Sequence, residues 1–291
     1  MKHKIKTFSQ LIISFIILIG IALILIYFAK PKAATTQELQ VYFLDVGQGD
    51  AEYIKTPDGS DILIDGGPDN SVLDQLGKVM SFSDREINLV ILSHPHADHL
   101  TGLIEVLQRY KVNEVWQTGV EYPSATYNTF KNEIQNQNIL NKYVVAGEIK
   151  NFSDVKIEVI TPLSSLEKKS IDNVNNASIV NRLEYNKFSV LFLGDAETEI
   201  QKKIAKDMKV ATVLKTGHHG SKNGTIEEML AIIRPAIAVI SAGKNNKYGH
   251  PHAEALNLLK QYAVRIFRTD QNGTVEIDSD GNGYSVKTGS L

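Results

Sequence analysis

The chain has 291 residues, enough for one large domain or two small ones, and its 43% hydrophobic content is ordinary for a protein with a soluble core. It contains no cysteine, which excludes a disulfide framework and a thiolate metal site. Residues 1–37 hold five lysines and no acidic side chain, so residues 38–291 carry 26 basic against 33 acidic side chains, a formal net charge of −7. That charge disfavours a domain that grips nucleic acid along a broad basic face.

The N-terminal segment has the composition of a membrane anchor. Residues 1–10 are basic, and residues 11–28 form an apolar run in which Ser14 is the only clearly polar residue. Eighteen residues at helical rise extend about 27 Å, close to the ~30 Å hydrocarbon core of a bilayer. We expect an uncleaved single-pass transmembrane helix at the cell membrane, a linker at residues 29–37 and an extracytoplasmic domain at residues 38–291. A cleaved signal peptide that releases the domain is the alternative.

Apolar runs and turn residues predict a strand-rich first half of this domain. The predicted strands are Val41–Leu44, Ala51–Thr56, Asp61–Asp65, Ile87–Ser93, Val112–Gln117, Tyr143–Val145 and Val155–Ile160. The predicted helices are Leu100–Tyr110 and Ser124–Asn138. Two glycines in Asp45–Asp50 predict a tight turn, and the polar stretch Ser164–Asn176 predicts a loop.

The second half predicts a hairpin followed by regular alternation of strands and helices. The hairpin joins Ser178–Tyr185 to Phe188–Leu193 over Asn186-Lys187. The alternating elements are helix Glu197–Met208, strand Ala211–Lys215, helix Thr225–Ile233, strand Ile237–Ile240, helix His252–Tyr262 and strands Val264–Arg268 and Thr274–Ile277. No repeat or linker divides the domain, so we expect one helix-covered pair of sheets whose strand ends converge on one rim.

Seven of the eight histidines, with several aspartates, lie at the ends of predicted strands. These residues are Asp65, the cluster His94-Pro95-His96-Ala97-Asp98-His99, Asp195, His218-His219 and His250-Pro251-His252. Nitrogen and oxygen ligands gathered in this way suit two divalent ions of four or five ligands each, with Zn²⁺ favoured and Mn²⁺ as the alternative. Asp195 is in a position to bridge them, and a bridging hydroxide would then serve as the nucleophile.

The motifs resemble those of the metallo-β-lactamase superfamily. The resemblance rests on His-x-His-x-Asp-His after an apolar strand, on Asp65 in Ile-Asp-Gly-Gly and on Gly194-Asp195, and it spans about residues 38–280. Further stretches are similar to the hydrolase-like domain of ComEC-type competence proteins. These stretches are Asp45–Ala51, Asn175–Val180, Phe192–Ala196, Leu214–Ser221 and Tyr248–Pro251.

The resemblance implies an α/β fold built as a four-layer αββα sandwich, and it assigns roles to the residues at the strand ends. The implied ligands are His94, His96, Asp98 and His99, with Asp195 as the bridge and Asp65 as an orienting carboxylate. Many superfamily members carry a third histidine for the first metal ahead of the bridging aspartate. This chain has none between His99 and His218, and Asn176 or Ser178 lies near that place.

The remaining histidines occur in pairs. Adjacent histidines in a strand or turn point to opposite sides, so we expect His218 to bind a metal and His219 to donate a proton or hold a substrate oxygen, which makes His219 catalytic together with Asp98 and Asp65. The first metal either draws on this pair, is weakly held or is absent. His250, extended before Pro251, is the expected last ligand, with His252 as the alternative.

Small donors and lysines flank the histidines on predicted loops. They are Lys215, Ser221, Lys222, Asn223, Lys244 and Lys247. A local cluster of this kind suits a phosphate group, so the sequence favours a phosphodiesterase or nuclease that acts on DNA or on a cell-surface phosphodiester such as a teichoic acid or its phosphocholine decoration. The alternatives are a lactam or lactone hydrolase and a non-catalytic accessory protein of DNA uptake. No obligate protein partner is predicted.

Overall fold

The computed structural model describes Gly20 and residues 38–289. The predicted transmembrane helix at residues 11–28 therefore lies, apart from Gly20, outside the described residues. In the part that is described, no helix combines the length and the apolar character needed to cross a membrane.

Strands and α-helices, the two kinds of element that were predicted, both occur along the described residues. The strands are β1 (Leu39–Phe43), β2 (Glu52–Lys55), β3 (Asp61–Ile64), β4 (Glu86–Ile87), β5 (Leu89–Ile91), β6 (Lys111–Val112), β7 (Glu114–Gln117), β8 (Leu140–Tyr143), β9 (Ile149–Phe152), β10 (Val155–Val159), β11 (Asn181–Tyr185), β12 (Phe188–Phe192), β13 (Val213–Lys215), β14 (Ile237–Ile240), β15 (Arg265–Arg268), β16 (Thr274–Ser279) and β17 (Tyr284–Gly289). The α-helices are α1 (Ser71–Val79), α2 (Ala97–Arg109), α3 (Ala125–Asn136), α4 (Thr198–Ile204), α5 (Glu227–Ile233), α6 (Ala253–Gln261) and α7 (Thr269–Asn272).

Two large mixed sheets carry most of the strands. The eight-stranded sheet has the order β17-β16-β1-β2-β3-β5-β7-β8, and the seven-stranded sheet has the order β15-β14-β13-β12-β11-β10-β9. In the first sheet β3, β5, β7 and β8 run parallel, and in the second β12, β13, β14 and β15 do. Because the carboxyl ends of parallel strands share one edge, each sheet gathers the loops that follow these strands at one edge.

Three apolar clusters define four layers. The central cluster lies between the inner faces of the sheets, where the rings of Phe43 and Phe192 approach to 6.1 Å between centroids. A second cluster packs Leu100 and Leu103 of α2 on the outer face of the first sheet. A third packs Leu230 of α5 and neighbouring helices on the outer face of the second sheet. The predicted α/β fold is confirmed, with the layer order helix, sheet, sheet, helix.

Several elements differ from the predictions. Helix α1 was not predicted, although Val72, Leu73, Leu76 and Val79 recur at helical spacing and pack in the second apolar cluster. Strands β9 and β17 were also missed, and β8 begins three residues before the predicted strand at Tyr143. Most of the residues of β8, β9 and β17 are at least partly exposed, because these strands lie at sheet edges and pair mainly through their backbones.

The predicted helix Glu197–Met208 is shorter in the structure. It ends as an α-helix at Ile204 and continues as a 3₁₀ turn, Ala205–Asp207. This turn leads the chain towards β13, whose end carries residues that lie beneath the candidate site.

The start of α2 sits unusually close to the turn after β3. The amide of Gly66 donates to the carbonyl oxygen of His99 at 2.7 Å, and a Cβ atom added at Gly102 would lie 1.9 Å from the carbonyl oxygen of Gly66. Glycine at position 102 is therefore a steric requirement for this approach. The contact fixes the first turn of α2, which carries Asp98 and His99, against the loop after Asp65.

Candidate metal centre

The His94–His99 cluster changes conformation in its middle, and this change separates its ligands into two groups. The backbone is extended up to His96, with φ −70° and ψ 150°, and α2 begins at Ala97. Residues two apart in extended backbone face the same side, so His94 and His96 point together. Asp98 and His99 lie instead in the first helical turn and project towards a neighbouring point.

The first group consists of His94, His96 and Asp195. One ligand atom from each residue lies within 4.8 Å of the others. The Nε2 atom of His94 is 3.0 Å from Nδ1 of His96 and 3.7 Å from Oδ2 of Asp195. His94 and Asp195 are buried, whereas His96 is partly open to the cleft.

The second group consists of Asp98, His99 and His219, again within 4.8 Å of one another. The Nε2 atom of His219 lies 3.3 Å from Oδ2 of Asp98 and 3.7 Å from Oδ1 of Asp195, and Nε2 of His99 lies 3.4 Å from the same Oδ1 atom. Asp195 thus turns Oδ2 towards the first group and Oδ1 towards the second. This is the geometry of a carboxylate that bridges two cation positions.

Two further carboxylates, Asp50 and Asp65, lie within reach of the same histidines. Each contacts an Nδ1 atom, on the side of the ring opposite the Nε2 atom that faces Asp195. Asp65 Oδ2 is 2.7 Å from Nδ1 of His99, and Asp65 accepts hydrogen bonds from the amide and hydroxyl of Ser93. Asp65 therefore orients His99, which is the role that the family resemblance implies for it.

The buried atoms at the second group fit a divalent cation. His99 Nε2, His219 Nε2 and Asp195 Oδ1 are all buried and have no hydrogen-bond partner. Buried polar atoms left without a partner are costly, and here three of them converge on one point. A divalent ion with nitrogen and oxygen ligands would satisfy all three.

The local charges divide the histidines into two kinds. Burial acts to lower the pKa of His219, but the carboxylates of Asp195 and Asp50 outweigh it and raise that pKa to about 10. The pKa of His99 is raised well above its ordinary value in the same way, by Asp195 and Asp65. Burial lowers the pKa of His94 well below its ordinary value, with repulsion from His99 adding to the effect. In the metal-free protein at neutral pH, protons therefore sit on the histidines of the second group.

Those protons must leave when a cation binds, which gives a testable pH dependence. Because the pKa of His219 is raised to about 10, its proton competes with the metal at all lower pH values. We expect affinity for Zn²⁺ or Mn²⁺ to rise with pH, by about tenfold for each pH unit and each proton released. Calorimetric titration of the metal-free chain in buffers of different ionisation enthalpy measures the protons released. A binding constant that does not change between pH 6 and pH 8 would contradict this expectation.

The structure places His219, and not His218, in the second group. Both residues have left-handed backbone conformations, with φ +46° at His218 and +52° at His219, so strand alternation does not decide which ring points inwards. His218 lies at the cleft wall with its Nδ1 atom 3.2 Å from Oε1 of Glu197 and its Nε2 atom 3.8 Å from Oδ2 of Asp195. His219 therefore lies where the ligand role was predicted for His218, and His218 lines the cleft.

His250 and His252 are not in either group. The His250 ring lines the cleft, 5.4 Å from that of His218, and stacks on Tyr248 at 5.8 Å. Burial and repulsion from His219 and His218 lower the pKa of His250 to about 4. The Nδ1 atom of His252 accepts a hydrogen bond from the amide of Lys222, so this ring stabilises a loop. Neither of the two residues predicted as the late ligand therefore belongs to the two groups.

The place of the missing third histidine is taken by small polar residues. The hydroxyl of Ser178 accepts a hydrogen bond from the amide of Asp195 at 3.0 Å and lies 3.4 Å from Nδ1 of His94. Asn176 turns away, since its side chain contacts Glu197 and Glu199. Ser178 thus contacts both His94 and Asp195 of the first group.

The structure places Lys215 differently from the prediction, which had it on a loop facing a phosphate group. It ends β13, is 1% exposed, and pairs with Asp50 at 2.6 Å beneath the second group. The local sequence, a predicted strand end followed by Thr-Gly-His-His, does not predict that Lys215 is buried. The pairing depends on a partner 165 residues away in the chain.

A cleft of about 270 Å³ opens onto both groups. Its lining includes Gln48, Asp98, Asn175, His218, Tyr248 and His250. The side-chain oxygen of Asn175 is buried there without a hydrogen-bond partner. The cleft is thus a polar binding site with titratable groups and the two groups of potential metal ligands at its base.

An αββα sandwich with two adjoining His/Asp cation positions at the ends of its parallel strands defines a class of metal-dependent hydrolases. The chain belongs to the metallo-β-lactamase superfamily, whose family model matches residues 44–244. Three of the curated relatives are competence-type proteins of this superfamily, as the motifs predicted.

The relatives are longer than this chain. ComE operon protein 3 of Bacillus subtilis strain 168 is 29% identical over 296 residues, a match that covers 93% of this chain and 36% of the relative. Recombination protein 2 of Haemophilus influenzae is 28% identical over 264 residues, covering 89% of this chain and 31% of the relative. The chain thus spans about a third of the length of the curated relatives that it matches.

Solved structures share the fold at low sequence identity. The metallo-β-lactamase fold protein YhfI from Bacillus subtilis matches with a TM-score of 0.56 at 11% identity, over 81% of this chain and 98% of that one. CmlA, a diiron β-hydroxylase from Streptomyces venezuelae, matches with a TM-score of 0.53 at 13% identity, over 80% of this chain and 53% of that one. These likenesses show the fold alone.

Proposed function

We propose that the chain is a metal-dependent phosphodiesterase that acts on DNA or on another extracytoplasmic phosphodiester. The observation that carries this proposal is the pair of adjoining cation positions that share Asp195 at the base of an open polar cleft. Two divalent ions at such positions supply an activated water and positive charge beside the attacking and leaving oxygens of a phosphate ester. The competence-type relatives favour DNA among the possible substrates.

His218 is the residue best placed to move a proton at the leaving oxygen. Its Nε2 atom faces the cleft near Asp195, while Glu197 holds Nδ1 at 3.2 Å. Glu197 is itself held by the side-chain amides of Asn173 and Asn175, at 3.0 and 2.9 Å. An imidazole fixed in this way can serve as a general acid, a role typically worth about 10²- to 10⁴-fold in rate.

The charge distribution supports engagement of a single phosphate group. Lys222, Lys244 and Lys247 are exposed on the loops beside the cleft, whereas the domain as a whole has a net charge of −7. An extended duplex contact would need a broad basic face. We therefore propose local recognition of one strand or one ester. We also propose that residues 11–28 anchor the chain in the cell membrane with the catalytic domain outside.

The test is a substrate panel on the metal-loaded full chain. We expect turnover of bis(p-nitrophenyl) phosphate and of a dinucleotide, and none of a chromogenic β-lactam or an aryl lactone. His218→Ala should slow the dinucleotide far more than the p-nitrophenyl ester, because p-nitrophenolate leaves without a proton. Arg109→Ala, which removes a surface ion pair with Glu105 on α2, should keep both rates close to wild type. Turnover of the lactone alone would refute the phosphodiesterase assignment.

A further inference from the structure

The ammonium of Lys215 is buried beneath the metal centre and cannot reach the cleft. Its Nζ atom lies 2.6 Å from Oδ2 of Asp50 and donates to the carbonyl oxygen of Thr216 at 3.2 Å. Lys215 and Asp50 are each 1% exposed. Burying two charges costs several kcal/mol for each ion unless they pair well. The pair contacts no substrate-facing surface, so its position calls for a role within the site.

The second oxygen of Asp50 faces a metal ligand. Asp50 Oδ1 lies 3.1 Å from Nδ1 of His219, and it is buried with no hydrogen-bond partner of its own. The carbonyl oxygen of Ser241 lies at the same distance from Nδ1 and accepts its proton. The Nδ1–H group of His219 is thus held between a carbonyl and a carboxylate, which leaves Nε2 free to face Asp98 and Asp195.

The same relation occurs at the other imidazole of the second group. Asp65 lies 2.7 Å from Nδ1 of His99 and is held by the amide and hydroxyl of Ser93. Asp50 occupies the corresponding place for His219, with an ammonium in place of the serine. Its backbone is fixed as well, because its amide donates to the carbonyl oxygen of Asp98 at 3.2 Å. Each imidazole of the second group therefore has one fixed carboxylate behind it.

The ion pair with Lys215 also keeps Asp50 out of the cation positions. Asp50, Asp195 and His219 have ligand atoms within 4.8 Å of one another, so an Asp50 side chain free to turn could itself reach a cation. The 2.6 Å contact with Lys215 holds its Oδ2 atom on the far side. We propose that Asp50, clamped by Lys215, is the positioning residue that aims His219 at the second cation position. The inference rests on the proposed two-cation centre but not on the identity of the substrate.

The experiment measures the second position alone, in a His96→Ala background that disables the first group. Titration calorimetry of the metal-free full chain with Zn²⁺ should give one binding event. Asp50→Ala should weaken it by about 10- to 100-fold, the range typical for residues that orient a ligand. Lys215→Met, which keeps length but removes charge, should weaken it in the same direction. The ligand-field spectrum of the Co²⁺-loaded chain should change in both variants.

Lys55→Met is the matched control, because it removes a 2.9 Å ion pair with the largely buried Asp61 away from the site. It should lower stability without changing the Zn²⁺ isotherm or the Co²⁺ spectrum. If Asp50→Ala does not fold, Asp50→Asn decides, since it removes the charge and keeps the shape. A folded Asp50 variant with wild-type affinity and spectrum would overturn the inference. If the variants weaken binding while the wild type hydrolyses no phosphodiester, the proposed function fails and this inference stands.

Discussion

Replacement of Asp195 by alanine is expected to abolish binding at both cation positions and to reduce hydrolysis by more than about 10³-fold, beyond the 10- to 100-fold typical of residues that only orient a ligand. The reason is geometric. Oδ2 of Asp195 lies 3.7 Å from His94, and Oδ1 lies 3.4 Å from His99, so one carboxylate serves both groups. Atomic-emission analysis of bound metal and initial rates on bis(p-nitrophenyl) phosphate measure the two effects.

Glu199→Ala is the control for this variant. Glu199 lies four residues after Asp195, but its side chain is 65% exposed and pairs with Lys203. Its removal should leave metal content and rate unchanged, because surface ion pairs of this kind contribute little. An Asp195→Ala protein that still binds one ion tightly would show that the two positions do not share this carboxylate.

The second large effect concerns stability. We expect Gly102→Ala to lower the free energy of unfolding by about 3 kcal/mol or more, because its Cβ would lie 1.9 Å from the carbonyl oxygen of Gly66 and 2.5 Å from that of Asp69. Neither carbonyl can move without displacing the turn after β3. Since α2 carries Asp98 and His99, the same substitution should weaken metal binding. Denaturant unfolding followed by circular dichroism measures the change.

Gly77→Ala provides the opposite case within the same domain. Gly77 lies in α1, and a Cβ added there would meet no atom within 4 Å. Alanine should therefore stabilise the fold by about 0.5–1 kcal/mol through helix propensity. If Gly102→Ala and Gly77→Ala change stability in the same direction, then the close approach of α2 to the turn after β3 does not require glycine at position 102.

The sequence predicted the parts of the site that local spacing determines. His94, His96, Asp98 and His99 lie within six residues, and a strand followed by a helix divides them into two groups by backbone geometry alone. Asp195 follows a buried strand and was predicted for the same reason. The layered α/β fold also followed from the pattern, because central strands such as β3 and β12 are mostly apolar and are buried on both faces.

The parts that the sequence could not predict depend on contacts between distant residues. Whether His218 or His219 lies in the second group depends on two successive residues in the left-handed conformation. No residue pattern predicts this conformation. The burial of Lys215 depends on Asp50, which lies on the other sheet's side of the site. The strands β9 and β17 have few buried residues, so pairing with a neighbour defines them rather than an apolar period.

One titration tests the central claim most directly: a metal-free preparation of the full chain receives a divalent ion while bound metal and hydrolysis of bis(p-nitrophenyl) phosphate are measured on the same sample. We predict that the rate rises with occupancy and reaches its plateau at two ions per chain, as the two groups sharing Asp195 require. A chain that binds two ions and hydrolyses no phosphodiester, or one that hydrolyses the ester at full rate without bound metal, would contradict the account.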